Sequence, residues 1–125
     1  MTPNTNEEPR PLQGSLENLK KCADDANWIY RTLEFFVEPA SLPQCKTILA
    51  AFLRNVRRSE PRTIHYISYQ DLRDPTHFLH VMAFADRGAL ETHVSSLAHR
   101  LFLSDLGTML RRPMIVTDLS LFDTR

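Results

Sequence analysis

Glycine is scarce: Gly14, Gly88 and Gly107 are the only three in 125 residues. A phosphate-cradling loop or a dinucleotide fingerprint needs several glycines within a few positions, so a nucleotide cofactor held in either way is excluded. Cysteine is scarcer. Cys22 and Cys45 form no Cys-x-x-Cys pair, and two thiols in an intracellular chain are more often reduced than bridged, so Cys45 reads as a small core residue and Cys22 as half-exposed. Neither sign of charge prevails: 15 basic against 15 acidic residues leave no net field to draw a polyanion. No stretch interleaves Lys or Arg with aromatics, and nucleic acid is set aside as a partner. No apolar run approaches the roughly 20 residues that span a bilayer. The first thirty residues lack a secretory signal's basic start and apolar core, and Glu7, Glu8, Asp24 and Asp25 argue against a transit peptide. The expected address is the cytoplasm, with no membrane partner.

What is present fits one domain, because domains most often run to roughly 100–150 residues. Pro3, Pro9 and Pro11 stand among polar residues in positions 1–14, a composition that buries too little apolar surface to offset chain entropy. Residues 1–27 are therefore expected to be a flexible extension, with Ser15 capping a short helix that carries Leu16, Leu19 and Ala23. The domain itself is expected over 28–125.

Trp28 to Glu38 is rich in aromatic and branched residues and closes at Pro39, which predicts a strand with apolar side chains on both faces. Ser41 stands as the expected N-cap of a helix with Pro43 in its first turn. Cys45, Ile48, Leu49, Phe52, Leu53 and Val56 recur there at helical spacing, until Arg57, Arg58 and then Glu60-Pro61 end the helix. Thr63–Gln70 and His77–Phe84 predict a hairpin turned at Asp74-Pro75. Asp86 is the expected cap of a helical stretch through Leu90 and His93. A second stretch runs from about Leu97 to Leu110 with Leu101, Phe102, Leu106, Met109 and Leu110 inward, and residues 114–122 form a last strand.

The order β-α-β-β-α-β predicts an α+β, ferredoxin-like fold in which helices cover one face of a four-stranded antiparallel sheet. A sheet face left to water alternates with polar residues, and three of these strands do not. A hydrophobic open face of several hundred Å² is a liability that pairing two sheets across a two-fold removes, so a homodimer is expected.

The stretch EPRTIHYISYQDLRDPTHFLHVMAFADRGALETHVSS, residues 60–96, resembles the antibiotic biosynthesis monooxygenase family of dimeric α+β barrels, which includes quinol monooxygenases that use neither flavin nor metal. The pieces that carry the likeness are Glu60-Pro61, Tyr66, Tyr69-Gln70-Asp71, Asp74-Pro75, Phe78, and Ala89-Leu90 with His93. The chain departs from the family where Met82 and Phe84 stand in place of a common Glu and Trp, and where Ala98, beside His99, replaces a frequent His. The resemblance implies a cofactor-independent monooxygenase acting with molecular oxygen on a small phenol, quinol or polyketide-like aromatic. A haem-degrading branch of the family ligates iron near the position of Leu103, and leucine cannot serve as that ligand.

Oxygenation without a cofactor needs a substrate that becomes electron-rich on deprotonation, a base, and a dry pocket. Histidine is the natural base and tyrosine a natural oxyanion donor. His80 shares a strand face with Phe78, Met82 and Phe84, and His93 falls on a position of the family motif. These two are the candidate bases and Tyr66 the orienting donor. Trp28, Phe36, Met82 and Phe84 are the candidate pocket wall, with His99 at its rim and His77 solvated at the turn. Whether His65 or Tyr66 faces the pocket depends on hairpin register, which a one-residue slip inverts. His93 and His99 are six residues apart, not the i, i+4 pair of a helical zinc site, and no metal is expected. Two other readings stand beside the oxygenase: a non-catalytic dimeric ligand-binding or stress-related module, suggested by Met82 and Phe84, and an isomerase of a small carbonyl compound.

Overall fold

The computed structural model describes residues 27–123; the expected N-terminal helix and Cys22 lie outside them. Strand β1 (Ile29–Phe36) is followed by a 3-10 turn at Pro39–Ser41 and helix α1 (Leu42–Ser59). Strands β2 (Thr63–Gln70) and β3 (His77–Phe84) form the hairpin. Helices α2 (Arg87–Ser95) and α3 (Leu97–Gly107) lead to strand β4 (Ile115–Leu119). The sheet order is β2-β3-β1-β4 and every pair is antiparallel. This is the ferredoxin-like arrangement that the element order implies.

The helices lie on one face of the sheet, over a core of Leu33, Phe35, Phe78, Met82 and Phe84 from the strands, Cys45, Leu49, Phe52 and Val56 from α1, and Phe102 and Leu106 from α3. Cys45 is buried and free, and burial pushes its thiol up to about 11, which keeps it an inert packing residue. Three local expectations need correction. Ser41 has helical backbone angles and makes no side-chain cap, because it closes the 3-10 turn that leads straight into α1. Helix α3 stops at Gly107, after which Leu110 pairs with Val37 in an isolated bridge. Leu101 is exposed, since Phe102 and Leu106 take the inward stripe of α3.

Two caps divide the second crossover. The Asp86 carboxylate accepts from the Ala89 N–H at 2.9 Å, and the Ser96 hydroxyl accepts from the His99 N–H at 3.1 Å. Ser96 is extended, so α2 and α3 meet at a bend that brings His93 and His99 side by side. Asp86 also pairs with Arg62 at the surface, an exposed contact of small worth. Replacing Asp86 by Ala is expected to cost about 1 kcal/mol through the lost cap, a fall of about 5 °C in Tm for a domain of this size. Thermal denaturation followed by circular dichroism checks it.

The opposite sheet face is open. Ile67, Tyr69, Leu79, Ile115 and Leu119 are exposed there, and Leu121 and Phe122 are exposed beyond β4. Among the described residues no helix is long and apolar enough to cross a membrane.

Candidate active site

The hairpin register settles which β2 side chain turns inward. An irregularity between Thr63 and His65 shifts the pairing so that Tyr66 lies opposite Met82 and Ser68 opposite His80. Tyr66 thereby faces the helices, and its hydroxyl lies 2.8 Å from Nδ1 of His80. His65 is turned to the open face, where its ring meets the edge of Trp28.

His80 is fully buried. Its ring meets Phe35 edge-on at 5.1 Å and Tyr66 at 5.2 Å, and lies nearly parallel to Phe102 at 6.1 Å. Burial pulls its pKa down to about 4, so the ring is neutral near pH 7. Burial, with the nearby Glu60 charge, pushes the Tyr66 phenol far above its ordinary value, so the O–H stays on. The hydrogen between them belongs to tyrosine. If Nδ1–H donated to the phenol oxygen, the Tyr66 O–H and the Nε2 lone pair would both be left unpaired; with Tyr66 donating to Nδ1, only Nε2–H is. His80 therefore presents an N–H.

His93, on α2, is the converse. Glu60, just past the end of α1, places Oε1 at 2.7 Å from Nδ1 of His93 and at 2.8 Å from the Thr63 hydroxyl. Burial tends to raise the Glu60 pKa, but the hydrogen bonds from His93 and Thr63 outweigh it and hold the group below the ordinary carboxylate value. An ionised carboxylate only accepts, so Nδ1 of His93 must carry hydrogen, which in the neutral form of the ring leaves the lone pair on Nε2.

The two dyads share one ring-lined layer. Tyr66 and His93 lie 5.5 Å apart between centroids, His93 and His99 4.7 Å, and Phe84 and His93 5.1 Å. Phe52 touches Tyr66, His93 and His99 and stacks on Phe102 at 4.2 Å. Half-buried His99 is held below its ordinary pKa by burial and by His93, against the raising effects of the Val94 backbone and Glu60. Four buried polar atoms here find no partner among the described residues: Nε2 of His80, Nε2 of His93, Nδ1 of His99 and Oε2 of Glu60. Buried polar atoms are nearly always bonded, so four unpaired ones in one layer are a feature to be explained.

The structure thus brings together Tyr66, His80, His93, His99, Met82 and Phe84. It does not bring Trp28, Phe36 or His65 to them. Trp28 packs against Tyr30 and His65, and Phe36 stacks on His77 under the guanidinium of Arg112, all on the open face. The pocket wall expected of these three is corrected accordingly: β1 and β2 carry apolar or aromatic groups on both faces, and theirs is the face away from the helices. His77 is not simply solvated either. Its Nδ1 meets Asp71 at 2.8 Å and its Nε2 meets Glu34 at 2.7 Å, and the bond to Asp71, then that to Glu34, raise its pKa against the lowering effect of burial. Phe52, Phe102 and Glu60 complete the layer without having been marked as site residues by the sequence. Among the described residues no group of three or more His, Cys, Asp or Glu is placed to hold a metal ion.

A cleft of about 450 Å³ opens beside this layer, lined by residues 59–63 before β2 and by Asp86, Gly88, Ala89 and Thr92 of α2 and its cap. Glu60 belongs to both.

Helices over one face of a β2-β3-β1-β4 sheet with ionisable groups between the layers define an α+β domain with a candidate small-molecule site. The chain belongs to the antibiotic biosynthesis monooxygenase family, whose model matches residues 29–104. Solved structures share the fold. One described as an antibiotic biosynthesis monooxygenase is 19% identical with a TM-score of 0.71, covering 76% of this chain and 99% of its own. A conserved protein from Methanosarcina mazei is 17% identical with a TM-score of 0.73, covering 79% and 97%. A protein from Mycobacterium tuberculosis is 22% identical with a TM-score of 0.71, covering 78% and 97%. No curated protein matches the sequence.

Proposed function

We propose that this protein is a cofactor-independent monooxygenase that oxidises a small phenol, quinol or polyketide-like aromatic with molecular oxygen. The observation that carries the reading is that two buried histidines leave Nε2 without a partner while Nδ1 is bonded, in His93 to the Glu60 carboxylate and in His80 to the Tyr66 hydroxyl, partners that assign an acceptor to the first Nε2 and an N–H to the second. A phenol needs both, one to take its proton and one to hold the oxygen on which charge develops. Phe52, Phe84, Phe102 and Met82 are buried with the two histidines and keep water from them.

Taking a substrate whose enol is a phenol and whose keto form is a ring methylene, His93 Nε2 removes the phenolic proton. The anion passes electrons to oxygen, a carbon–oxygen bond forms, and the resulting peroxide takes the proton back from His93 as a hydroperoxide. His93 then removes the remaining proton on that carbon, the O–O bond breaks, and the departing hydroxide takes this proton. One oxygen atom ends in a ring carbonyl and the other in water. Tyr66 acts through His80, since its O–H is spent on Nδ1.

The test is oxygen uptake by chelator-treated protein with a panel of hydroquinones and anthrones, with ¹⁸O₂ supplied to label the product. Incorporation of one labelled atom supports the reading. A substrate that binds without consuming oxygen favours the ligand-binding module, and a carbonyl compound rearranged without oxygen favours the isomerase.

The working unit in this reading is a homodimer whose two open sheet faces meet. Ile67, Tyr69 and Leu79 stand exposed across β2 and β3 of that face, an apolar grouping that association would bury. Ile67→Asp is expected to halve the mass measured by light scattering. A wild-type protein of monomeric mass contradicts the dimer.

A further inference from the structure

His93 is a base only while its hydrogen stays on Nδ1, and one group holds it there. We propose that Glu60 is a positioning residue of this site, which fixes the tautomer of His93 and balances the imidazolium formed when Nε2 takes the substrate's proton, and that the cleft beside it admits small carboxylates able to replace it. The inference rests on the oxygenase reading for its kinetic part and on geometry alone for the rest.

The sequence marks Glu60 as a helix stop, but its placement exceeds that task. The residue is 8% exposed, and burying a carboxylate is costly unless it is paired. Here Oε1 accepts from both His93 and the Thr63 hydroxyl. The groups around it divide by element: His93 on α2 and His99 on α3 bear on its charge, Thr63 on β2 donates to it, and Tyr66 on β2 feels its field. Arg62 and Asp86, which pair with each other, share the cleft that Glu60 lines. Three consequences follow. The carboxylate, acceptor-only, forbids the Nε2–H tautomer of neutral His93. The same carboxylate, 2.7 Å from Nδ1, stands paired with the ring when a proton arrives at Nε2. Lastly, because Glu60 borders a cleft of about 450 Å³, truncating its side chain leaves a carboxylate-sized space reachable from solvent.

Two variants test this, each with its own readout. In Glu60→Gln the amide N–H₂ can face Nδ1, and ¹⁵N NMR of the histidine rings is expected to show His93 switched from Nδ1–H to Nε2–H. With an accepted phenol, kcat is expected to fall about 100-fold, the size of effect lost with a general base, while KM stays within about twofold, as for a group felt only in the transition state. In Glu60→Ala the same loss is expected, and formate added at constant ionic strength restores turnover in a saturable way that chloride does not reproduce. A merely structural glutamate would give no such rescue. Retention of the Nδ1–H tautomer in Glu60→Gln overturns the inference, as does Glu60→Ala that is folded, impaired and indifferent to formate. If the wild-type protein oxidises no substrate, the oxygenase reading fails, and the tautomer measurement still decides the role of Glu60.

Discussion

Replacing His93 by Gln is expected to lower oxygen consumption with an accepted phenol by a factor of about 10² to 10⁴, the range ascribed to a positioned general base. The size of the effect follows from the lack of a substitute. His80 is held near pKa 4 by burial and presents a hydrogen on Nε2, so it cannot take a proton near pH 7. Tyr66 is bonded to His80 and retains its own proton. Glutamine preserves much of the volume packed against Phe52 and Phe84, so the loss should appear in kcat with the fold intact. Initial rates at an oxygen electrode, with circular dichroism as the control, measure it. A loss of less than about threefold would mean that the base lies elsewhere.

The second large effect is on stability against acid. The His80 pKa is about 4 in the folded protein and 6.5 in its ordinary state. A group whose pKa is depressed by folding contributes stability that is fully present above the unfolded value and is lost as the pH falls toward the folded one. The window is therefore pH 6.5 to 4. Across it the protein should lose about 3 kcal/mol through this histidine, of which about 2 kcal/mol is gone by pH 5. Glu60 adds to the loss at lower pH, since its pKa is also depressed. His77 works in the opposite sense, because its raised pKa gives stability that is present below 6.5 and lost as the pH rises through the folded value. It is more exposed than His80 and its contribution is correspondingly screened. Urea unfolding at pH 7 and pH 5 checks the balance. The double variant Tyr66→Phe, His80→Leu, which removes both partners together and leaves no polar group unpaired, should flatten the slope. An unchanged slope would assign the acid sensitivity to other groups.

The fold was legible because its signals are local. The helical spacing from Cys45 to Val56, the Asp74-Pro75 turn and the Asp86 cap each sit within a few residues of what they direct. The site was legible only in part, for reasons that differ from residue to residue. His80 could be placed because β3 alternates Phe78, His80, Met82 and Phe84 inward. Tyr66 could not, because its face depends on an irregularity at Thr63 and His65 that no residue type announces. Trp28 and Phe36 were expected in the pocket because they are aromatic, and β1 is apolar enough on both faces to leave the choice to tertiary packing. Glu60 reads as a helix terminator; its partner His93 is 33 residues further on, a distance across which periodicity carries no information. His77 was missed for the same reason, since Glu34 reaches it from 43 residues away.

Met82 and Phe84 acquire a physical meaning from the same geometry. They are the positions at which the sequence departs from the family resemblance, and both are buried. Met82 lies in register with Tyr66, whose hydroxyl bonds to His80. With methionine in that place, the hydrogen-bonding task on the strand rests with His80.

The measurement that bears most directly on this account is a crystal structure of the protein grown without oxygen in the presence of a hydroquinone. The account predicts the ring within the layer formed by Phe52, Phe84 and Phe102, with one hydroxyl oxygen hydrogen-bonded to Nε2 of His93 and held by Nε2–H of His80. A hydroquinone bound away from both nitrogens, in a protein that turns that hydroquinone over, would contradict it.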